Sequence, residues 1–136
     1  MYKIENAVGR LIEVRLASPL SLEEVHRFAE QLKSTIAGVR GRYVGVVDVT
    51  RAELFPSPVA EALIQLMSRE AEQVDRTAAL IGASATFSLQ VERIFRNSAS
   101  PHRRAFRDPN ELRDWLREVL GSDERVRLAR FLHETA

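Results

Sequence analysis

Apolar and polar positions alternate across residues 10–16, with Ile12, Val14 and Leu16 on one side and Glu13 and Arg15 on the other. A period of two describes a strand buried on one face. The short run of residues 2–5 ahead of it, set off by residues 6–9, reads as an antiparallel partner joined by a tight turn. The period then changes. In "SPLSLEEVHRFAEQLKSTIAG" the positions Leu22, Val25, Ala29, Leu32 and Ile36 recur three and four apart and form one helical stripe. Ser21 with Glu24 makes a capping box at its start, and Gly38 is a stop at its end. Residues 43–49 are apolar without alternation and rich in valine, the pattern of a parallel strand covered on both faces. A second helix follows with Pro58 at its first position and Val59, Leu63, Leu66, Met67 and Val74 on its stripe. "TAALIGA" reads as another doubly covered strand, and Phe87, Val91, Ile94 and Phe95 mark a third helix. "RRAFR" is a short strand basic enough to sit at a sheet edge. "DPNELRDWLREVLG" predicts a fourth helix, with Asp108 as cap, Pro109 first, Glu111 closing the box and Gly121 at the end. Leu112, Trp115, Leu116 and Val119 would face inward, and Val126, Leu128, Phe131 and Leu132 suit a last helix.

The element order is β-β-α-β-α-β-α-β-α plus that C-terminal helix. Strand–helix alternation implies an α/β fold, a mostly parallel sheet flanked by helices and joined by right-handed crossovers, with the opening hairpin as an antiparallel edge. Residues 1–121 are expected to form one domain and residues 122–136 a C-terminal helical extension. Repeats, low-complexity tracts and linkers are absent from the sequence.

A length of 136 residues suits one core, and 45% hydrophobic with 29% charged residues is ordinary for a globular chain. Without cysteine there are no disulfides, thiolate metal sites or cysteine nucleophile. "MYKIENAVGR" has no apolar core of a signal peptide, and the longest apolar run, residues 77–85, is too short to span a bilayer. A cytoplasmic location without a membrane span is the expectation. A net charge of +1 argues against a nucleic-acid partner.

Catalytic signatures are missing. His26, His102 and His133 are far apart and not at metal-ligand spacing. No Gly-x-Ser-x-Gly elbow occurs, and "GASATF" lacks the glycines that cradle a pyrophosphate. The expectation is a non-enzyme with no cofactor and no metal. Three features carry chemistry all the same. Ser57, between two prolines at a helix start, is either an N-cap bonded to the amide of Val59 or Ala60 or a hydroxyl that a partner modifies. Asp48 ends a covered strand; it lines a ligand crevice or organises the loop through the amides of Arg51 and Ala52. Arg93, Arg96, Arg103, Arg104 and Arg107, with no acid among them in "RIFRNSASPHRRAFR", form an anion or acidic-partner patch or a solvated edge.

Over residues 1–120 the element order resembles the STAS domain of anti-sigma-factor antagonists and their SpoIIAA-like and Sec14-like relatives. The motif that carries the likeness is "VVDVTRAELFPSPVAEAL". In STAS domains a covered strand ends in aspartate and is followed by a loop and an Asp-Ser-Ser-Gly or Asp-Ser-Gly at a helix start, where the first serine is phosphorylated by a partner kinase. Asp48 matches the strand-end aspartate, Ser57 the phosphoacceptor and Phe55 the apolar position before it. Pro56, Pro58 and Val59 depart from the aspartate, second serine and glycine of that motif. The stretch "RTAALIGAS…RRAFRDPNELRDWL" is similar to the family's closing strands and helix. The resemblance implies a regulatory module that docks a kinase or anti-sigma-like protein on a surface including Asp48, Thr50, Phe55 and Ser57. Two rivals stand beside it. One is a small-ligand or lipid site at the strand ends, lined by Phe55, Met67 and Phe87. The other is a structural homo-oligomer, such as a homodimer, that uses residues 126–132 as its face.

Overall fold

The computed structural model describes residues 1–135. Strand β1 (Tyr2–Val8) pairs antiparallel with β2 (Leu11–Ala17), and β3 (Tyr43–Arg51), β4 (Val74–Leu80) and β5 (Arg103–Phe106) follow in parallel. Their order in space is their order in the chain, β1-β2-β3-β4-β5. Helices α1 (Leu22–Ala37), α2 (Ser57–Arg69) and α3 (Ala85–Arg96) are the three crossovers. Right-handed crossovers that step always in one direction leave their helices on one face of the sheet. The other face is covered by α4 (Pro109–Arg117) and α5 (Ser122–Glu134).

Two cores follow from this division. On the crossover face, Ile12, Val14 and Val49 pack against Val25 and Phe28 of α1, Leu63 of α2 and Val91 of α3. On the other, Leu11, Val44, Val46 and Ala78 pack against Leu112, Leu116, Leu128 and Phe131. β3 serves both faces, as its unbroken apolar pattern requires.

Several expectations are corrected. β1 runs on to Val8, so the turn is confined to Gly9 and Arg10, with an irregular register between Glu5 and Val8. Phe28 is buried and stacks at 5.5 Å on Tyr2, whereas Leu22, expected on the buried stripe, is exposed. α2 ends at Arg69, so Val74 is no part of it; its partner is Tyr43 in the neighbouring strand. Helix α4 ends at Arg117, and Gly121 instead opens α5, its N–H donating to Glu124 Oε1 at 2.8 Å.

The segment expected to be an extension with a free apolar face belongs to the core. Leu128, Phe131 and Leu132 of α5 are buried against the sheet of the same chain, so they offer no dimer face; only Val126 of that set points outward. Polar clasps fix the helix as well. Glu13, buried on β2, accepts from Arg127 at 2.6 and 3.0 Å, and Glu5 accepts from the same guanidinium at 3.2 Å. Glu124 Oε2 accepts the Arg10 N–H at 2.6 Å, which ties the first turn to the start of α5. Gly9, at φ +54°, serves that clasp twice, since a side chain there would be strained and would collide with the Glu124 carboxylate.

Within the crossover core sits a polar cluster. The Tyr43 hydroxyl donates to Glu70 Oε1 at 2.5 Å. Burial pushes the Glu70 carboxyl above its ordinary range, against the opposing pull of the Tyr43 hydrogen bond and the Arg103 charge. Burial and the Glu70 charge together hold the Tyr43 hydroxyl well above its usual value.

Two outcomes are expected. Phe131→Ala should cost about 3–5 kcal/mol in urea unfolding, as for a large buried aromatic, while Val126→Ala stays within about 0.5 kcal/mol. Equal small effects would return α5 to the status of an appendage. The second concerns pH. Because the folded chain holds the Glu70 proton more tightly than the unfolded chain, whose group has the ordinary value of 4.5, this group favours the fold fully below that pH. Its contribution is lost as pH rises through the raised folded value. Glu70→Gln should therefore flatten the fall of Tm above pH 4.5, followed by circular dichroism.

Candidate functional site

The loop between β3 and α2 is the best-defined surface feature. Phe55 is buried and meets Phe87 edge-on, with ring centroids 5.4 Å apart at 77°. Its backbone is gripped by one side chain: the Phe55 N–H donates to Gln90 Oε1 at 2.9 Å, and Gln90 Nε2 donates to the Phe55 carbonyl at 2.8 Å. This paired amide contact imitates a rung of a β-ladder and pins the loop to α3. Nearby, the Glu53 N–H donates to Ser18 Oγ at 2.8 Å. Gln90 and Ser18 are the residues that sequence reasoning missed, because a polar residue on a helix flank or in a strand-end loop carries no periodic signal.

The pinned loop delivers Ser57. Pro56 is the N-cap of α2, no side chain caps the helix, and the Ala60 N–H bonds the Pro56 carbonyl at 3.0 Å. Ser57 is thus the first helical residue and exposed, one position later than a capping serine. Pro58 has no N–H, so the Ser57 and Val59 amides are first-turn donors, beside the positive end of the helix. Leu54, three residues before Ser57, is 53% exposed.

Asp48 and Ser57 are not brought together. Alternation along β3 turns Asp48 to the face of α5, while Ser57 lies on a helix of the crossover face. Asp48 is buried, with Oδ1 accepting from the Thr50 N–H at 2.9 Å and the Thr50 hydroxyl at 2.6 Å, and Oδ2 accepting from Arg15 at 2.9 Å. The Asp48 carboxylate therefore bonds Thr50 rather than the amides of Arg51 and Ala52, in the local turn favoured by aspartate. Arg15 lies 4.1 Å over the Phe131 ring and 3.5 Å from Glu134, so the strand-end carboxylate is engaged in holding the end of α5. Thr50 itself is exposed at the strand end.

The arginine cluster divides. Arg93, Arg96, Arg104 and Arg107 are on the surface, where Arg104 lies 5.0 Å over Phe106 and Arg107 donates to Ser88 Oγ at 3.3 Å. Arg103 turns inward and donates to the Met67 carbonyl at 2.8 Å. An open groove of about 650 Å³ between α3 and β5 is lined by Arg96, Arg103 and Arg104.

A switch-point crevice between diverging strand ends has no topological basis here. Such crevices form where strand order reverses, and this order never does. A pocket of about 250 Å³ does lie at the ends of β2 and β3, lined by Arg15, Asp48, Arg51 and Glu134 and away from Ser57. Phe55 and Met67, but not Phe87, line a different space, an interior cavity of about 80 Å³ between the sheet and the crossover helices. Among the described residues no three His, Asp or Glu side chains gather to hold a metal, and no helix is long and apolar enough to cross a membrane.

No family model and no curated protein sequence matches the chain. Solved structures do. An uncharacterized protein of the DUF3478 family with a SpoIIAA-like fold, from Shewanella loihica PV-4, aligns at TM-score 0.63 and 19% identity over 85% of this chain and 92% of its own. The anti-sigma factor antagonist SpoIIAA in its unphosphorylated form aligns at TM-score 0.57 and 17% identity, over 89% of this chain and 100% of its own. The chain has a SpoIIAA-like fold.

Proposed function

We propose that the chain is a non-catalytic regulatory module that docks a protein partner on the β3–α2 loop and the first turn of α2, with Ser57 as the residue that gates docking. The observation that carries this reading is the presentation of Ser57: an exposed hydroxyl, free of a capping role, at the end of a loop held rigid by Gln90. Fold likeness to an anti-sigma factor antagonist supports it.

The chemistry is direct. A phosphate on Ser57 would meet the first-turn amides and the positive end of α2, so the modified state is tolerated by the fold. It would also add up to two negative charges close in sequence to the exposed Leu54, and a partner seated on that apolar side chain would be repelled. Thr50 and the backbone around Phe55 complete the surface. Asp48 contributes from beneath, by holding the strand end, and not by contact.

Incubating the protein with Mg-ATP and lysate of its own host should place a phosphate on Ser57, read by mass spectrometry, and Ser57→Ala should abolish the mark. Baits of wild type and Ser57→Ala should retain a common partner that Ser57→Asp loses. An unmarked Ser57 with equal capture by all three baits removes the gate. Gln90→Ala should leave the unfolding cooperative yet accelerate amide exchange at Glu53 and Phe55 by tenfold or more (about 1.4 kcal/mol of local opening), and weaken capture in proportion. Unchanged exchange would show that the clamp does not hold the loop.

A further inference from the structure

Arg103 is a guanidinium in the interior, 8% exposed, on the side of β5 that faces α2 and α3. One of its amines is satisfied by the Met67 carbonyl; its Nε has no hydrogen-bond partner. Glu70 is close enough for its charge to act on Arg103, yet its carboxylate is engaged by the Tyr43 hydroxyl and forms no direct hydrogen bond to the guanidinium. A buried charge is ordinarily paired and fully hydrogen-bonded. In the next strand Thr77, in register with Arg103 and 5% exposed, has a hydroxyl that forms no hydrogen bond of ordinary geometry, although the Tyr43 hydroxyl is close enough for the two to interact.

These two side chains line the same interior cavity, whose other walls include Ala79, Val91 and Ile94 and, at the polar end, Tyr43 and Glu70. Arg103 and Phe95 also line the open groove at the outer edge of the sheet, where Arg96 and Arg104 outnumber the one acid, Glu92. The groove, the buried guanidinium and the apolar cavity therefore lie in sequence from solvent to interior.

We propose that Arg103 is the anion-binding residue of a small-molecule site that takes a short-chain monocarboxylate. The carboxylate pairs with Arg103, with the Thr77 hydroxyl as second donor, and the alkyl chain enters the cavity. Arg96 and Arg104 attract the anion to the groove. A cavity of about 80 Å³, against the roughly 150 Å³ that encloses a benzene, limits the tail to about three or four carbons. The site lies at the sheet edge and does not depend on the reading of Ser57.

The test is a titration of the whole protein with sodium acetate, propanoate, butanoate and hexanoate at matched ionic strength, with butan-1-ol as the neutral control. Methyl resonances of Ala79, Val91 and Ile94 report the cavity. Each methylene up to butanoate should tighten binding roughly fourfold, the value of a buried CH₂, with no further gain at hexanoate. Arg103→Gln should weaken butanoate at least tenfold and Ser57→Asp should leave it unchanged. If Arg103→Gln does not fold, Ala79→Leu, which fills the cavity, should erase the gain from chain length while keeping acetate binding. Affinity independent of chain length, equal binding of butan-1-ol, shifts confined to Arg96 and Arg104, or no methyl shift at all would each overturn the proposal.

Discussion

Everything in this molecule depends on the hand of its crossovers. A right-twisted sheet accepts strand–helix–strand connections of one hand, and here all three step in the same direction. The helices α1, α2 and α3 have no choice but to share a face. The opposite face of β2, β3 and β4 carries Leu11, Val44, Val46, Ala78 and Leu80, and would be exposed without further cover. A continuous apolar surface of that kind is an aggregation hazard, which is why the chain after β5 does not leave the sheet but folds back as α4 and α5.

The way α5 returns explains the charged side chains paired across β1, β2 and the end of β3. Glu13 and Arg15 stand on the polar side of β2, and a helix laid over them must answer both. Arg127 meets Glu13, and Arg15 is sandwiched between Asp48, the Phe131 ring and Glu134. A buried ion pair adds little net stability compared with an apolar pair, but losing one partner is costly, so such contacts select one seating of the helix over its alternatives. The Asp48 carboxylate, an obvious functional candidate in a strand-end position, is consumed by that task.

The crossover face is organised differently. Its interior is apolar except at one end, where Tyr43, Glu70, Thr77 and Arg103 meet without fully satisfying one another. Its exterior offers the rigid loop before α2, with Ser57 at the helix start. Monotonic strand order removes the switch-point crevice on which doubly wound folds rely.

Much of this was legible in the residue pattern. Period and caps led to the individual strands and helices, because each rests on contacts within a few residues, such as Ser21 with Glu24 and Asp108 with the Asn110 amide, although Glu111 does not close the expected box. The alternation of strands and helices in turn led to the parallel sheet and its antiparallel edge. Ser57 was found by its position between a covered strand and a proline. The sequence could not tell that Asp48 and Ser57 belong to opposite faces, since pleat parity and helix side emerge only when the sheet is assembled. It could not separate Arg103 from the neighbouring arginines, because all are alike until β5 pairs with β4 and turns alternate side chains inward. Nor could it find Gln90, whose partner is 35 residues away. Local sequence determined which segments become strands and helices; tertiary structure alone decided which charges are buried, because burial is set by what the rest of the chain lays over them.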